Sequence, residues 1–275
     1  MTRFCVTVDI EEDLPGLVPD GFFGVDRGLP RLLELLNELD ITADFFFLSS
    51  VARARPYLVR EIAQTGHGIG NHGLDHEFLC AKPLARQESD IVESTRVLES
   101  IVGDRPLMFR APGFSASSTT LGILNRLGYL IDSSVLPGRI VRRLRVFKVY
   151  DHRGSPQRPH WAVMRVGIDC STNLFEIPVT PNPVRPGAPL GLGAVNTYGA
   201  PRLLTALLQS DLNPIVFLLH PWELVDLGEL YPQIPNGYAS ACSSDLSALR
   251  AFLEGAAEIG TFSTLGAVRE SCTGG

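Results

Sequence analysis

Hydrophobic and polar positions along the chain follow two patterns, short apolar runs and leucine repeats with helical spacing. Residues 3–10 are rich in β-branched and apolar side chains and end in acidic ones, which predicts a buried strand. Leucines then recur at helical spacing from Leu29 to Leu39, with Pro30 suited to the first turn, which predicts an amphipathic helix. Residues 43–48 predict the next strand.

This alternation continues through most of the chain. Further helices are predicted over 57–64, 83–102, 117–128, 201–209 and 244–259. Further strands are predicted over 67–72, 107–110, 129–132, 214–220 and 261–263. Strands that alternate with helices are typical of parallel strands joined by helical crossovers, either in a barrel or in a doubly wound sheet.

The positions of the candidate site residues favour a barrel over a doubly wound sheet. Chemically versatile residues fall at or just after predicted strand ends: Asp9, His72, Arg110, Asp132 and His220. In a parallel barrel the loops at those ends assemble the active site. Residues 135–199, by contrast, contain eight prolines that interrupt every long periodicity, so a loop-rich insertion over the barrel mouth is expected.

Composition narrows the classes of function. A chain of 275 residues with 45% hydrophobic residues can bury one large core, so a single domain over 1–275 is expected. A net charge of -6 argues against a nucleic-acid partner.

The apolar run at the N-terminus is too short for a signal peptide or a membrane span, which predicts a cytoplasmic protein. The five scattered cysteines, with no CxxC pair, are expected to be reduced structural thiols, Cys170 among them.

His72 and His76 stand four residues apart, a spacing that lets two imidazoles reach one metal ion. Gly73 follows the first of them, so the pattern differs from the helical HExxH of zinc peptidases. The alternative is a pair of histidines that are hydrogen-bonded without metal. Spacing by itself leaves both interpretations open.

Four acidic residues crowd the end of the first predicted strand: Asp9, Glu11, Glu12 and Asp13. They form either a solvated turn or a set of metal-binding and basic carboxylates, whose mutual repulsion a cation would relieve. On an extended backbone Asp9 and Glu11 point to the same side, which makes them the natural pair.

Arg110 precedes a proline-glycine turn, and His220 ends an apolar strand; each feature is common separately. Their joint occurrence in this order is the informative signal.

The ordered motifs resemble the polysaccharide deacetylase family, which is the NodB homology domain of carbohydrate-esterase type. Five segments carry the resemblance: residues 7–11, His72 with His76, residues 110–113, residues 132–134 and residues 218–220. The family has a distorted (β/α) barrel, with seven strands expected. The resemblance implies that Asp9 is the general base, that Glu11, His72 and His76 hold a divalent metal ion, and that His220 is the general acid. It further implies that Arg110 holds Asp9 ionised and that Asp132 orients His220.

Two departures from the family pattern concern the substrate more than the reaction. The family usually supplies an aspartate as the acidic ligand, whereas this chain offers Glu11 or Glu12. Gly113 stands where the family has tyrosine, which keeps the backbone N–H near an oxyanion and is expected to widen the site. Pro112, Gly113 and Trp222 are the predicted substrate-binding residues.

The predicted activity is hydrolysis of an N-acyl group, acetyl first, from an intracellular amino sugar, sugar conjugate or glycan precursor. Zinc is the ion expected for two imidazoles and a carboxylate, with iron, cobalt, nickel and manganese as the alternatives. One alternative is a related amidase or deformylase for a non-sugar or lipid-linked substrate. Another is a sugar-binding homologue that has lost catalysis. A basic run could meet a substrate phosphate or form a solvated face: Arg139, Arg142, Arg143, Arg145 and Lys148.

Overall fold

The computed structural model of the protein describes residues 1–18, 20–143, 147–162, 172–235, 237 and 242–274. Arg145 and Cys170 lie outside the described residues. The strands are β1 Thr2–Ile10, β2 Asp44–Phe47, β3 Gly68–Asn71, β4 Met108–Phe109, β5 Ile131–Asp132, β6 Ile140–Arg143, β7 Phe147–Asp151, β8 His160–Trp161, β9 Phe175–Glu176, β10 Ile215–Leu219 and β11 Gly260–Phe262. The helices are α1 Leu29–Glu38, α2 Ser49–Ala54, α3 Pro56–Gln64, α4 Leu84–Val102, α5 Ser118–Arg126, α6 Leu192–Tyr198, α7 Ala200–Leu208, α8 Leu227–Leu230, α9 Ser247–Ile259 and α10 Leu265–Thr273.

A curled sheet of parallel strands forms the centre of the molecule. Within the described residues its order is β10, β1, β2, β3, β4, β5 and β9, each parallel to its neighbour. The short strand β8 pairs antiparallel with β9 at one edge, and β11 pairs with the start of β1. The expected seven strands and parallel architecture are confirmed.

The barrel is distorted where the two edges of the sheet approach each other. Beyond β9 the extended chain donates from the backbone N–H of Thr180 to the Val216 carbonyl oxygen at 3.2 Å. Leu218 of β10 donates in turn to the carbonyl oxygen of Leu190 at 2.9 Å. Irregular chain, in place of a regular strand, therefore bridges β9 and β10.

The sequence pattern explains why the strands are central. β10 is buried along its whole length, and seven of the nine residues of β1 are buried. Strands covered on both faces have continuous apolar runs in place of alternation. The carboxyl ends of these strands therefore deliver Asp9, Asn71, Asp132 and the residues that follow them to one rim.

The insertion at 135–199 is more regular than expected. Its described part contributes β9 to the parallel sheet, together with the hairpin of β6 and β7 and the helix α6. These short elements within the predicted loop-rich insertion were not predicted, because two-residue strands and a seven-residue helix are too short to produce a readable period. No helix within the described chain is long and apolar enough to cross a membrane.

Asp132 at the end of β5 lies beside Glu176, its register partner on β9, and both carboxyl groups are buried. Ser134 donates to Oδ1 of Asp132 at 2.6 Å, and the backbone N–H of Val135 donates to Glu176 at 3.1 Å. Burial raises the pKa of Asp132, and burial together with the Asp132 charge raises the pKa of Glu176 well above 4.5. These two directions predict that the carboxyl groups share one proton.

This pair predicts a specific pH dependence of stability. Because folding raises both pKa values, the stabilisation is complete below the unfolded-state value of 4.5 for Glu176 and is lost as the pH rises through the raised folded-state pKa. Glu176→Gln should flatten this dependence, since a neutral amide can donate to the unpartnered Oδ2 of Asp132.

We expect the free energy of unfolding of Glu176→Gln at pH 8 to rise by about 1–3 kcal/mol relative to wild type, with little change at pH 5. Urea unfolding at the two pH values measures this difference. An equal effect at both pH values would show that the pair does not share a proton.

Candidate active site at the carboxyl ends of the strands

Asp9 and Arg110 form a buried ion pair across the barrel. Nη1 of Arg110 donates to Oδ1 of Asp9 at 2.7 Å and to Oγ1 of Thr7 at 3.0 Å. The same guanidinium donates from Nε to the Ser133 carbonyl oxygen at 3.0 Å and from Nη2 to the Ser133 hydroxyl at 2.9 Å. Arg110 is fully buried, and its partners lie on β1 and just after β5. The geometry agrees with the contact predicted between Arg110 and Asp9.

His72 follows β3 and is oriented by the backbone. Its Nδ1 lies 2.9 Å from the carbonyl oxygen of Arg110, which can only accept, so Nδ1 carries the proton. Nε2 then presents a lone pair toward Glu11 and Asp9, at 3.5 Å from Oε2 and 3.8 Å from Oδ2. This orientation is the usual one for a metal-bound imidazole.

Glu11, His72 and His76 form a compact group of donors. One atom from each lies within 4.8 Å of the others. Oε2 of Glu11 and Nε2 of His72 are buried without a hydrogen-bond partner, although Oε2 is also 2.9 Å from Nε2 of His76. Buried polar atoms that lack partners are costly unless a ligand satisfies them. The donor set therefore fits one divalent metal ion.

The electrostatics of Glu11 suit a ligand that stays anionic. Burial opposes its charge, but His76 and His72 outweigh burial and hold the pKa of Glu11 well below 4.5. Glu12 is only half-buried and lies outside the donor group that Glu11 completes. Of the two glutamates left open by the sequence, Glu11 is the one beside both histidines.

A second layer of residues shapes the loop that carries the two histidines. Gly73, between them, has φ 97°, a left-handed conformation that favours glycine. Asn71 accepts from the Gly73 N–H at 2.7 Å, and Lys82 donates to Asp75 at 2.7 Å and to Asp90 at 2.8 Å. Asn71 and Lys82 were not singled out from the sequence, because their partners are distant or lie in loops.

His220 is bound by Glu223, which corrects the expected contact with Asp132. Oε2 of Glu223 lies 3.1 Å from Nδ1 of His220 and accepts from the His220 backbone N–H at 2.9 Å. Asp132 lies on β5 and is paired instead with Glu176 on β9. Glu223 was missed, although its place three residues after His220 matches the pattern of a capping box.

The pKa of His220 reflects these neighbours. Burial lowers it, but the hydrogen bond to Glu223 and the carboxylates of Glu11, Glu223 and Asp9 raise it to about 9. With Nδ1 bonded to Glu223, the second nitrogen, Nε2, lies 3.8 Å from Oε1 of Glu11. His220 is therefore protonated at neutral pH in the metal-free protein and can donate a proton.

The pKa of His220 provides a test of the correction. In metal-free protein, Glu223→Gln should lower it from about 9 toward 6.5, because the variant removes the carboxylate that raises it most. Asp132→Asn should leave it unchanged. The imidazole proton signals of His220, followed by NMR as the pH is raised, measure both values. A larger shift in Asp132→Asn would restore the original assignment.

Of the predicted substrate-binding residues, Trp222 and Pro112 have different surroundings. Trp222 stacks on His220 with ring centroids 4.8 Å apart, and its Nε1 donates to Oε1 of Glu11 at 3.0 Å. Trp222 thus leaves Oε2 of Glu11 for a metal ion. Pro112 is buried and lies against Gly73, so it supports the histidine loop.

Gly113 does not widen the site as expected. A Cβ built on it would lie 2.7 Å from Cε1 of Phe78, so the Phe78 ring occupies the space beside it. Its φ of 58° is left-handed, as is the φ of 60° at Phe114. Glycine therefore suits this turn both by conformation and by space.

These residues surround one cavity of about 400 Å³, here called the central cavity. Its described lining includes Asp9, Glu11, His72, His76, Ala111, Gly113, His220, Trp222 and Glu223, and beyond them Leu14, Pro15, Leu17, Phe114, Arg139, Pro189 and Leu218. Cavities of roughly 300–1,000 Å³ hold small-molecule ligands. A basic, an acidic and a metal-binding group therefore share a cavity of ligand size.

Comparison with known proteins confirms the resemblance found in the sequence. Residues 20–131 match the family described as Polysaccharide deacetylase. The match contains His72, His76 and Arg110, whereas Asp9, Glu11 and His220 lie outside it.

A peptidoglycan-N-acetylglucosamine deacetylase of Bacillus cereus is 31% identical over 100 residues, which are 36% of this chain and 46% of the relative. The chain thus spans less than half the length of this curated relative. A Mycobacterium smegmatis structure assigned to the polysaccharide deacetylases has a TM-score of 0.65 at 20% identity, covering 98% of this chain and 90% of its own. An allantoinase structure has the same TM-score and coverage at 16% identity. These two likenesses confirm the fold.

Proposed function

We propose that this polysaccharide deacetylase domain is a metal-dependent hydrolase that removes an N-acyl group, acetyl first, from an amino sugar, sugar conjugate or glycan precursor. One observation carries the proposal. The three ligand atoms of Glu11, His72 and His76, a carboxylate held by a buried arginine and an imidazole with a raised pKa meet in the central cavity. The Bacillus cereus relative is named for N-acetylglucosamine in peptidoglycan, which supports an amino-sugar substrate.

Glu11, His72 and His76 would hold the ion. Zinc is the first choice for two imidazoles and a carboxylate, with iron, cobalt, nickel and manganese as the other candidates. When bound, such an ion lowers the pKa of a water molecule and polarises the amide carbonyl.

Asp9 is placed to accept the proton that water loses. Its Oδ1 is held by Arg110 at 2.7 Å, which turns Oδ2 toward the ligand atom of His72 at 3.8 Å. As the water oxygen bonds to the carbonyl carbon, Asp9 takes the proton. The Gly113 N–H is the proposed backbone donor to the negative charge that develops on the carbonyl oxygen.

His220 completes the reaction from the other wall of the cavity. Its Nδ1 is held by Glu223, and Nε2 is the nitrogen that donates. As the C–N bond breaks, His220 gives its proton to the departing nitrogen, so the products are a carboxylate and an amine. Glu223, in the place first expected for Asp132, positions the imidazole and favours its protonated form.

An amidase for a non-sugar or lipid-linked amide is the second candidate. The apolar side chains of Leu14, Leu17 and Phe114 in the central cavity favour it, because the same reacting groups serve any small amide. The cytoplasmic location and the intracellular substrate stay predictions.

The test is metal content together with acetate release, for wild type and His76→Ala. Wild type should hold close to one equivalent of metal and release acetate from N-acetylated amino sugars. His76→Ala should lose both, because one of three ligands is gone. Metal without acetate release would favour the amidase, and wild type that binds no metal under replete conditions would favour a homologue without catalysis.

A further inference from the structure

We propose that the substrate carries an anionic group, a phosphate or a carboxylate, and that Arg139 binds it at the wall of the central cavity. The inference rests on the proposed amide hydrolysis and names the substrate class of that site. Arg139 opens the basic run found in the sequence. Among the described members of that run, it is the one that lines the central cavity.

The backbone fixes Arg139 at the start of the hairpin of β6 and β7. Its N–H donates to the Leu136 carbonyl oxygen at 3.1 Å, and its carbonyl oxygen accepts from His152 at 2.8 Å. Gly138 and Gly187 both have left-handed φ, of 85° and 84°. A Cβ on Gly187 would lie 3.1 Å from the Gly138 carbonyl oxygen, so the two turns pack backbone against backbone.

The side chain is also supported. Its Nη1 reaches the Gly187 carbonyl oxygen at 3.4 Å, and its Cζ lies 5.9 Å from the centre of the Phe114 ring. The Phe114 carbonyl oxygen is bonded to Nε2 of His152 at 2.8 Å, which ties this aromatic residue to the same hairpin. A guanidinium beside an aromatic ring is favoured by the cation–π interaction and matches carboxylate and phosphate geometry.

The rest of the cavity wall gives a neutral sugar few partners. No serine, threonine, asparagine or glutamine side chain is among the described residues that line it. When the proposed reacting groups, Glu223 and Trp222 are set aside, Arg139 has the one polar side chain among the described lining residues. The others, such as Leu14, Leu17 and Pro189, are apolar. Recognition beyond the reacting amide would therefore rely on charge and apolar contact.

The carboxylates of the cavity each have a partner of their own. Asp9 is paired with Arg110, Glu11 would bind the metal ion together with His72 and His76, and Glu223 is bonded to His220. An anionic substituent on the substrate would thus enter a wall of positive potential at Arg139.

The experiment compares acetate release from three probes by the zinc-loaded protein. They are N-acetylglucosamine, N-acetylglucosamine 1-phosphate and N-acetylmuramic acid, which are neutral, phosphorylated and carboxylated. The variants are Arg139→Met, Arg139→Lys and the matched control Arg142→Met, an exposed arginine of the same run outside the cavity lining. Circular dichroism melting checks that each variant is folded.

Wild type should prefer at least one anionic probe, and Arg139→Met should lose about 10- to 100-fold in kcat/KM on that probe alone, as expected for a charged hydrogen bond. Arg139→Lys should keep part of the preference, and Arg142→Met all of it. The probe that responds distinguishes phosphate from carboxylate. Equal losses on neutral and anionic probes, or a wild-type preference for the neutral probe, would overturn the inference.

Binding measurements separate this inference from the proposed reaction. Calorimetry with N-acetylglucosamine 1-phosphate and N-acetylmuramic acid should show affinity that Arg139→Met reduces. If such binding occurs while no probe is hydrolysed, the proposed reaction fails and the anion site stands. If acetate is released with no dependence on Arg139, the anion site fails and the reaction stands. If no anionic probe binds and no probe releases acetate, both the anion site and the proposed reaction are rejected.

Discussion

The Asp9→Asn variant should bind metal like the wild type and yet lose about 10²- to 10⁴-fold in kcat, the usual contribution of a general base. Asparagine preserves the size of the side chain and an oxygen that can accept from Nη1 of Arg110. It cannot take a proton from water. Because Asp9 is not part of the donor group formed by Glu11, His72 and His76, the metal content should be retained.

Measuring kcat and metal content on the same preparation tests this assignment. Asp20→Asn is a matched control, since Asp20 is exposed and its φ of 52° suits asparagine. An Asp9→Asn variant with full turnover would reject the role of general base. Loss of metal in that variant would instead place Asp9 among the ligands.

The second large effect concerns the acidic ligand. Glu11→Gln should weaken zinc binding by at least about 100-fold, more than the usual loss of a residue that only supports a ligand. The glutamine can keep the hydrogen bond from Trp222 through its oxygen, but the second carboxylate oxygen is replaced by an N–H group that cannot bind metal. Turnover should fall with the metal content.

Glu12→Gln is the matched control one residue away. Glu12 lies outside the donor group, so this variant should bind zinc as tightly as wild type. Competition against a chromophoric chelator measures the affinity of both variants. If Glu12→Gln lost zinc while Glu11→Gln retained it, the two glutamates would exchange roles, and the substitution of glutamate for the usual aspartate would need a different explanation.

The architecture followed closely from the sequence because it depends on local and repeated features. Apolar runs such as those of β1 and β10 predicted buried strands, and the candidate residues Asp9 and His220 lie at or just after the ends of these two strands. The alternation of side-chain directions on an extended chain predicted that Asp9 and Glu11 point to the same side. The structure places both on the central cavity.

Short elements were harder to predict. β9 has two residues and α6 has seven, and neither length gives a distinguishable period among the prolines of the insertion. The C-terminal helix α10 also had no counterpart in the prediction. Its position is fixed in part by a tertiary contact, since the Leu265 N–H donates to Asp44 at 2.8 Å.

The sequence by itself determined the order of most strands and helices, the residues at the strand ends and the chemistry they offer, because these depend on spacing along the chain. Only the tertiary structure decided which side chains meet. It put Glu223 in place of Asp132 on His220, Phe78 beside Gly113, and Arg139 in the central cavity. Asp132 faces Glu176 because β5 pairs with β9, and Arg139 lines the cavity where two distant turns pack together. Spacing along the chain encodes neither arrangement.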